Sequence, residues 1–193
     1  MLTVFLLSPA NCAGTRAQML LRSQTSPLTA RLENGGAPLG EVFTFMSSLY
    51  FRGKLAYATR FGRGYVITPG RGLLPADVLI RVEDLRTMAT VEVDEAVPAF
   101  REPLVRDAIA LAKNLAATDR VVLLGSVATD KYVKPLLEVF GERLHFPATF
   151  VGRGDMSRGG LMLRCAQVGT PLDYVPVRGA VLHGPRPPKL GRR

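Results

Sequence analysis

Arg120-Val121-Val122-Leu123-Leu124-Gly125-Ser126-Val127-Ala128-Thr129-Asp130-Lys131-Tyr132 sets the fold class. Four consecutive aliphatic residues, closed off by Gly125, are too few for a helix and leave no polar face. They predict a strand buried on both sides. Tyr132, Leu136, Leu137 and Phe140 then recur at helical spacing, which predicts a helix over about 130–140.

The same strand–loop–helix pattern opens the chain. Residues 2–7 predict a buried strand, Ser8 to Gly14 a loop, and Thr15 the neighbourhood of a helix start. A third copy is expected over 65–88: Gly64-Tyr65-Val66-Ile67 as a short strand, 68–75 as a loop dense in Gly and Pro, and 83–88 as a short helix. Between these units, 25–37 reads as a loop and Pro38 to Arg60 as a long helix. Further helices are expected over 101–117 and from the 152–160 loop to about Gln167. The alternation predicts an α/β fold: a mostly parallel central sheet with helices on both faces, as a single domain over 1–180. Residues 181–193 read as a basic Pro/Gly-rich tail.

Composition narrows the function. Of the 193 residues 47% are hydrophobic and 21% charged, which excludes a wholly disordered chain. No apolar run approaches the ~20 residues needed to cross a bilayer, so no membrane partner is expected. No basic residue precedes the apolar opening, which reads as a strand rather than a secretory signal; a cytoplasmic protein is the expectation. Two Cys and two His offer neither a disulfide framework nor a metal-ligand spacing, and no cofactor or metal is expected.

The charge is strongly positive. There are 25 Lys and Arg against 16 Asp and Glu, a net +9. Residues 1–100 hold 10 basic and 8 acidic residues, and residues 101–193 hold 15 and 8, so +7 of the excess lies in the second half. Such a balance favours a polyanionic partner. Arg outnumbers Lys by 20 to 5; that suits bidentate phosphate contacts, and equally the composition of a GC-rich genome.

In an open parallel sheet, ligands bind beyond the C-terminal strand ends. Four loops are therefore expected to share one rim. The first carries Ser8, Asn11, Cys12 and Arg16 at a helix start, where backbone N–H groups suit an anion, or it is an ordinary turn. Cys12 is either a nucleophile or a small buried thiol. The second, 68–77, contributes Arg71. The third brings Ser126, Asp130 and Tyr132, with Thr129 or Asp130 equally suited to capping the helix. The fourth, 152–160, concentrates Arg153, Asp155, Ser157 and Arg158 among four glycines. Its arginines suit a phosphate clamp; alternatively Asp155 caps the helix and pairs with Arg158. Asp155, Asn11 and Asp130 are the candidate catalytic residues. Ser8, Arg16, Arg71, Ser126, Tyr132, Arg153, Ser157 and Arg158 are the candidate substrate- or phosphate-binding residues.

Four fragments together resemble the YaaA family of bacterial proteins. Leu7-Ser8-Pro9-Ala10-Asn11 is similar to the family's strand ending in Ser-Pro-Ala-Lys, with Asn11 in place of Lys. Gly70-Arg71-Gly72-Leu73-Leu74-Pro75 is similar to its Tyr-Gly-Leu-Leu-x-Pro stretch, with Arg71 in place of Tyr. Gly125-Ser126 through Asp130-Lys131-Tyr132 looks like a longer form of its Ala-Ser-x-Glu-Tyr. Arg153-Gly154-Asp155-Met156-Ser157-Arg158 matches its Arg-Gly-x-Met-Ser/Ala-Arg in order and spacing. The chain resembles a distant, shorter relative. The resemblance implies a mixed α/β fold, DNA binding and a role in protection from peroxide and iron damage.

Three function classes follow. The first is a nucleic-acid-binding protein, DNA rather than RNA, in stress protection. The second is an enzyme acting on a nucleotide, nucleoside or nucleobase, for example by base excision or modification at the rim. The third is a module that binds another protein through the tail.

Overall fold

The computed structural model describes residues 1–23, 25–188, 190 and 191. In chain order the elements are β1 (Thr3–Leu7), α1 (Thr15–Arg22), α2 (Pro27–Glu33), β2 (Ala37–Pro38) and α3 (Leu39–Phe61). Then come β3 (Arg63–Thr68), β4 (Gly72–Pro75), β5 (Leu79–Ile80), α4 (Val82–Ala89) and α5 (Pro98–Lys113). The last are β6 (Arg120–Leu124), α6 (Asp130–Phe140), β7 (Leu144–Pro147), α7 (Asp155–Val168) and β8 (Tyr174–Pro176).

Six strands form one sheet in the order β4-β3-β1-β6-β7-β8. The inner four, β3, β1, β6 and β7, run parallel; β4 and β8 close the two edges antiparallel. The two apolar runs that predict buried strands lie side by side at the centre, with Leu7 opposite Leu124. Both are sealed from water from Val4 to Leu7 and from Val121 to Leu124. This is the α/β, mostly parallel sheet that the sequence predicts.

From β1 the chain proceeds to β3 on one side of it, and later returns to β6 on the other. The C-terminal ends of β1 and β6 therefore flank a topological switch point, the crevice in which open α/β sheets hold ligands. Ser8 sits there. Its N–H donates to the Leu124 carbonyl at 3.2 Å. The next strand is held equally close, because a Cβ on Gly125 would stand 2.9 Å from the Ser8 Cβ.

Several expected loops are ordered elements. Residues 72–75 form β4, hairpinned onto β3, rather than a loop. Gly70 and Gly72 adopt positive φ to make the turn, and Pro75 is tolerated on an edge strand. Within 25–37, Pro27–Glu33 is a helix: Ser26 accepts from the Thr29 N–H, and Pro27 occupies the first turn. The 65–88 unit thus contains an antiparallel hairpin before its helix. The helix expected over 101–117 runs from Pro98 to Lys113.

α3 is kinked at Ser48, whose φ of 47° and ψ of −125° are non-helical. The tail is laid along the protein: the Pro185 carbonyl backs onto Gly152, and Arg164 donates to the Gly191 carbonyl. Lys189, Arg192 and Arg193 of the tail lie outside the described residues. Among the described residues no helix is long and apolar enough to cross a membrane.

Candidate functional site

A cavity of about 610 Å³ opens at the switch point. Its wall takes Ser8 and Asn11 from the loop after β1, Pro69 from the β3–β4 turn, Ser126 from the β6–α6 connection, Tyr132 from the first turn of α6, and Asp155 from the start of α7. The four expected loops therefore meet at one site. A fifth segment, residues 88–93 from the end of α4 onward, supplies Glu92, and α3 supplies Tyr50.

The floor is the unusual part. Lys54 of α3 is 0% exposed. Its Nζ donates to the Ser8 carbonyl at 2.6 Å and to Ser8 Oγ at 2.9 Å. It also lies 4.1 Å from the centre of the Tyr50 ring and 5.0 Å from that of Phe51. Among the described residues no carboxylate forms an ion pair with it. Burial pulls Lys54 down to about 7; Asp155 opposes this shift and Arg158 adds to it. Tyr50 is 6% exposed, and its hydroxyl makes no hydrogen bond among the described residues. Burial pushes that hydroxyl up to about 12, with Asp155 adding to the shift and Arg158 and Ser8 opposing it, so at neutral pH it is a protonated donor.

The backbone explains how a lysine reaches the floor. Gly53 and Gly159 let α3 and α7 touch, since a Cβ on Gly53 would lie 2.4 Å from the Gly159 carbonyl oxygen. That contact sets Tyr50 and Lys54 beside Asp155 and Arg158.

Of the candidate residues, Ser8, Asn11, Ser126, Tyr132 and Asp155 line the cavity. Asn11 is fixed by an Asx turn, its Oδ1 accepting from the Ala13 N–H at 3.1 Å. Asp155 is a rim group: its side chain is 66% exposed and stands 3.6 Å from Arg158. Tyr132 is a buried wall, edge-on to Phe100, and Lys131 supplies a nearby charge. Lys134 pairs with Glu95.

The rest are placed elsewhere. Asp130 is exposed in the first turn of α6, off the cavity wall. Thr129 holds the N-cap position without capping through its side chain. The arginines are spent on the fold. Arg158 is buried and donates through Nε and Nη2 to the Phe150 carbonyl at 3.3 and 3.1 Å. Arg153 donates to the Thr149 carbonyl and to Ser157 Oγ, and so occupies both itself and Ser157. Arg16 reaches the Phe45 carbonyl at the α3 kink, and Arg71 pairs with Asp84. Cys12 is buried, with its thiol pushed up to about 12 by that burial, which fits the small-thiol reading.

Lys54 and Tyr50 are the residues that sequence reasoning misses. Tyr50, Lys54 and Tyr57 follow one another four and three apart beyond the kink, and this places a lysine on the apolar stripe of a helix. Comparison with protein-family models, with curated proteins and with solved structures gives no match.

Proposed function

We propose that the chain is an enzyme that binds a nucleoside or nucleobase in the switch-point cavity. The reading takes residues 1–180 as one α/β domain with helices on both faces of the sheet. The observation that carries it is the cavity itself: about 610 Å³, within the range of small-molecule sites. It holds an amide, hydroxyls and a carboxylate, with the buried Tyr50 hydroxyl beside Ser8 making no well-formed hydrogen bond among the described residues. Asn11, Ser126 and the Tyr50 hydroxyl match the donor and acceptor edge of a base. With Arg16, Arg153 and Arg158 tied to backbone carbonyls, a ligand with few phosphates fits better than a polyphosphate.

Nucleic acid is the second reading, supported by the net +9 and by the excess of +7 in residues 101–193. The resemblance to YaaA proteins belongs with it, as does stress protection. A base flipped out of DNA into the cavity would join the two readings.

Calorimetric titration with nucleobases, nucleosides and nucleotides tests the first reading. Saturable binding of a base or nucleoside that Tyr50→Phe weakens is expected; no binding of any at millimolar concentration overturns it. Fluorescence anisotropy with duplex DNA, single-stranded DNA and RNA at roughly 50 and 200 mM salt tests the second. Binding that does not fall with salt would count against a phosphate-led interface.

A further inference from the structure

We propose that Ser8 is a nucleophile activated by Lys54, that the Tyr50 hydroxyl steadies the oxyanion, and that the substrate is an ester or amide of a nucleoside-sized molecule. This assignment rests on the cavity being a substrate site and adds the reaction class.

Three observations point the same way. First, both hydrogen bonds of Lys54 go to Ser8, and Ser8 is the one of the two that faces the cavity. The alternative acceptor for the Ser8 hydroxyl, the Leu124 carbonyl, is farther away at 3.4 Å. Second, a lysine kept only for packing makes little sense here. Buried charges are normally paired, and an apolar side chain of similar length would fill the space at no desolvation cost. Third, Tyr50 lines the same cavity, and its buried, protonated hydroxyl lies close enough to Ser8 for the two side chains to interact. Lys54 titrates close to neutrality, so an uncharged amine is present at working pH. The charged groups acting on it are Asp155 and Arg158, both from α7; the aromatic faces are Tyr50 and Phe51 of its own helix.

The chemistry balances as follows. Uncharged Lys54 keeps one N–H on the Ser8 carbonyl and takes the Ser8 Oγ proton while Oγ bonds to the acyl carbon. The carbonyl oxygen becomes an oxyanion that accepts from Tyr50. The bond to the alcohol or amine leaving group breaks, and Lys54 returns the proton to that group. Water then attacks the acyl-serine and passes a proton to Lys54. The C–Oγ bond breaks, and Ser8 recovers its proton from Lys54. The net change is hydrolysis by one water.

Labelling of the full chain with phenylmethanesulfonyl fluoride across pH 5–10, read by intact mass and peptide mapping, tests this. The expected result is one adduct, on Ser8, whose rate of formation rises through a single ionisation near neutrality. Ser8→Ala abolishes it. Lys54→Met slows it at least about 100-fold, and this variant is chosen because methionine fills the same buried space. A folded wild-type chain that gives no Ser8 adduct overturns the proposal, as does an unchanged rate in folded Lys54→Met. Added nucleosides and nucleobases separate it from the ligand assignment. A labelled Ser8 that none of them protects upholds the dyad and overturns the ligand class. Nucleoside binding without any Ser8 label does the reverse.

Discussion

Gly53 of α3 and Gly159 of α7 meet backbone to backbone. A Cβ on Gly53 would stand 2.4 Å from the Gly159 carbonyl oxygen, and one on Gly159 would stand 2.7 Å from the Leu49 carbonyl oxygen and the Tyr50 Cα. Neither neighbour is a flexible side-chain end, so a methyl group at either position must push the helices apart. Overpacking of this kind costs roughly 1–3 kcal/mol. For a chain of this size each kcal/mol is worth about 2–4 °C of melting temperature. Gly53→Ala is therefore expected to melt roughly 2–12 °C below the wild type, and to disturb the seats of Tyr50 and Lys54. Calorimetry or circular dichroism checks it. A melting point matching the wild type would mean that the two helices are not locked together here.

The same contact explains what was legible in the sequence. β1 and β6 are readable because the centre of a parallel sheet admits little but aliphatic side chains, and the α6 boundaries follow from its apolar periodicity. β4 is not, since Gly70, Gly72 and Pro75 look like loop chemistry; only the pairing of Leu73 and Leu74 with β3 makes them a strand. β7 and β8 are too short to carry a pattern of their own. In the site, Ser8, Asn11, Ser126, Tyr132 and Asp155 are readable because strand ends and helix starts mark them. Lys54 is not, because a lysine in a helix ordinarily faces water. What buries it is a glycine contact with a segment more than 100 residues away. The candidate arginines mislead for the opposite reason: composition suggests ligands, while the fold holds Arg16, Arg153 and Arg158 on backbone carbonyls and Arg71 on Asp84.

Tyr50→Phe is expected to separate stability from function. The hydroxyl is buried and unpartnered, and a buried donor left unsatisfied costs about 1–3 kcal/mol. Phenylalanine keeps the ring against Lys54 and removes that cost. The variant is expected to melt at or above the wild-type temperature while its affinity for a nucleoside or nucleobase falls. A clear loss of stability would show that the hydroxyl is satisfied in solution, by Ser8, Arg158 or water.

Ser48 is the non-glycine residue with positive φ among the described residues, and the kink it makes leaves the Phe45 carbonyl to Arg16. A φ of 47° with a ψ of −125° is glycine territory, and holding serine there costs about 1–3 kcal/mol. Ser48→Gly relieves the strain but adds freedom to the unfolded chain. A net gain of about 1 kcal/mol is expected, whereas Ser48→Ala should bring none. Denaturant titration of the two variants side by side decides it. Equal midpoints would mean that the kink carries no strain.

Lys54 should make stability depend on pH in a definite window. Its ordinary value is 10.5, and burial lowers it to about 7 in the folded chain. Between these values the unfolded chain binds a proton that the folded chain does not, so stability rises as pH rises from about 7 to 10.5. Above the window neither state carries the charge. Below it both do, and the folded state bears the full cost of burying it, at most about 5 kcal/mol. Lys54→Met has no such group. The melting temperature of the variant minus that of the wild type is therefore expected to be largest near pH 6 and to shrink steadily toward pH 10. Measuring both proteins in the same buffers cancels the titration of everything else. A difference that stays flat across the window would mean that Lys54 remains charged in the folded chain, compensated by the aromatic faces of Tyr50 and Phe51 and by Asp155. Such a lysine has no free electron pair with which to take the Ser8 proton.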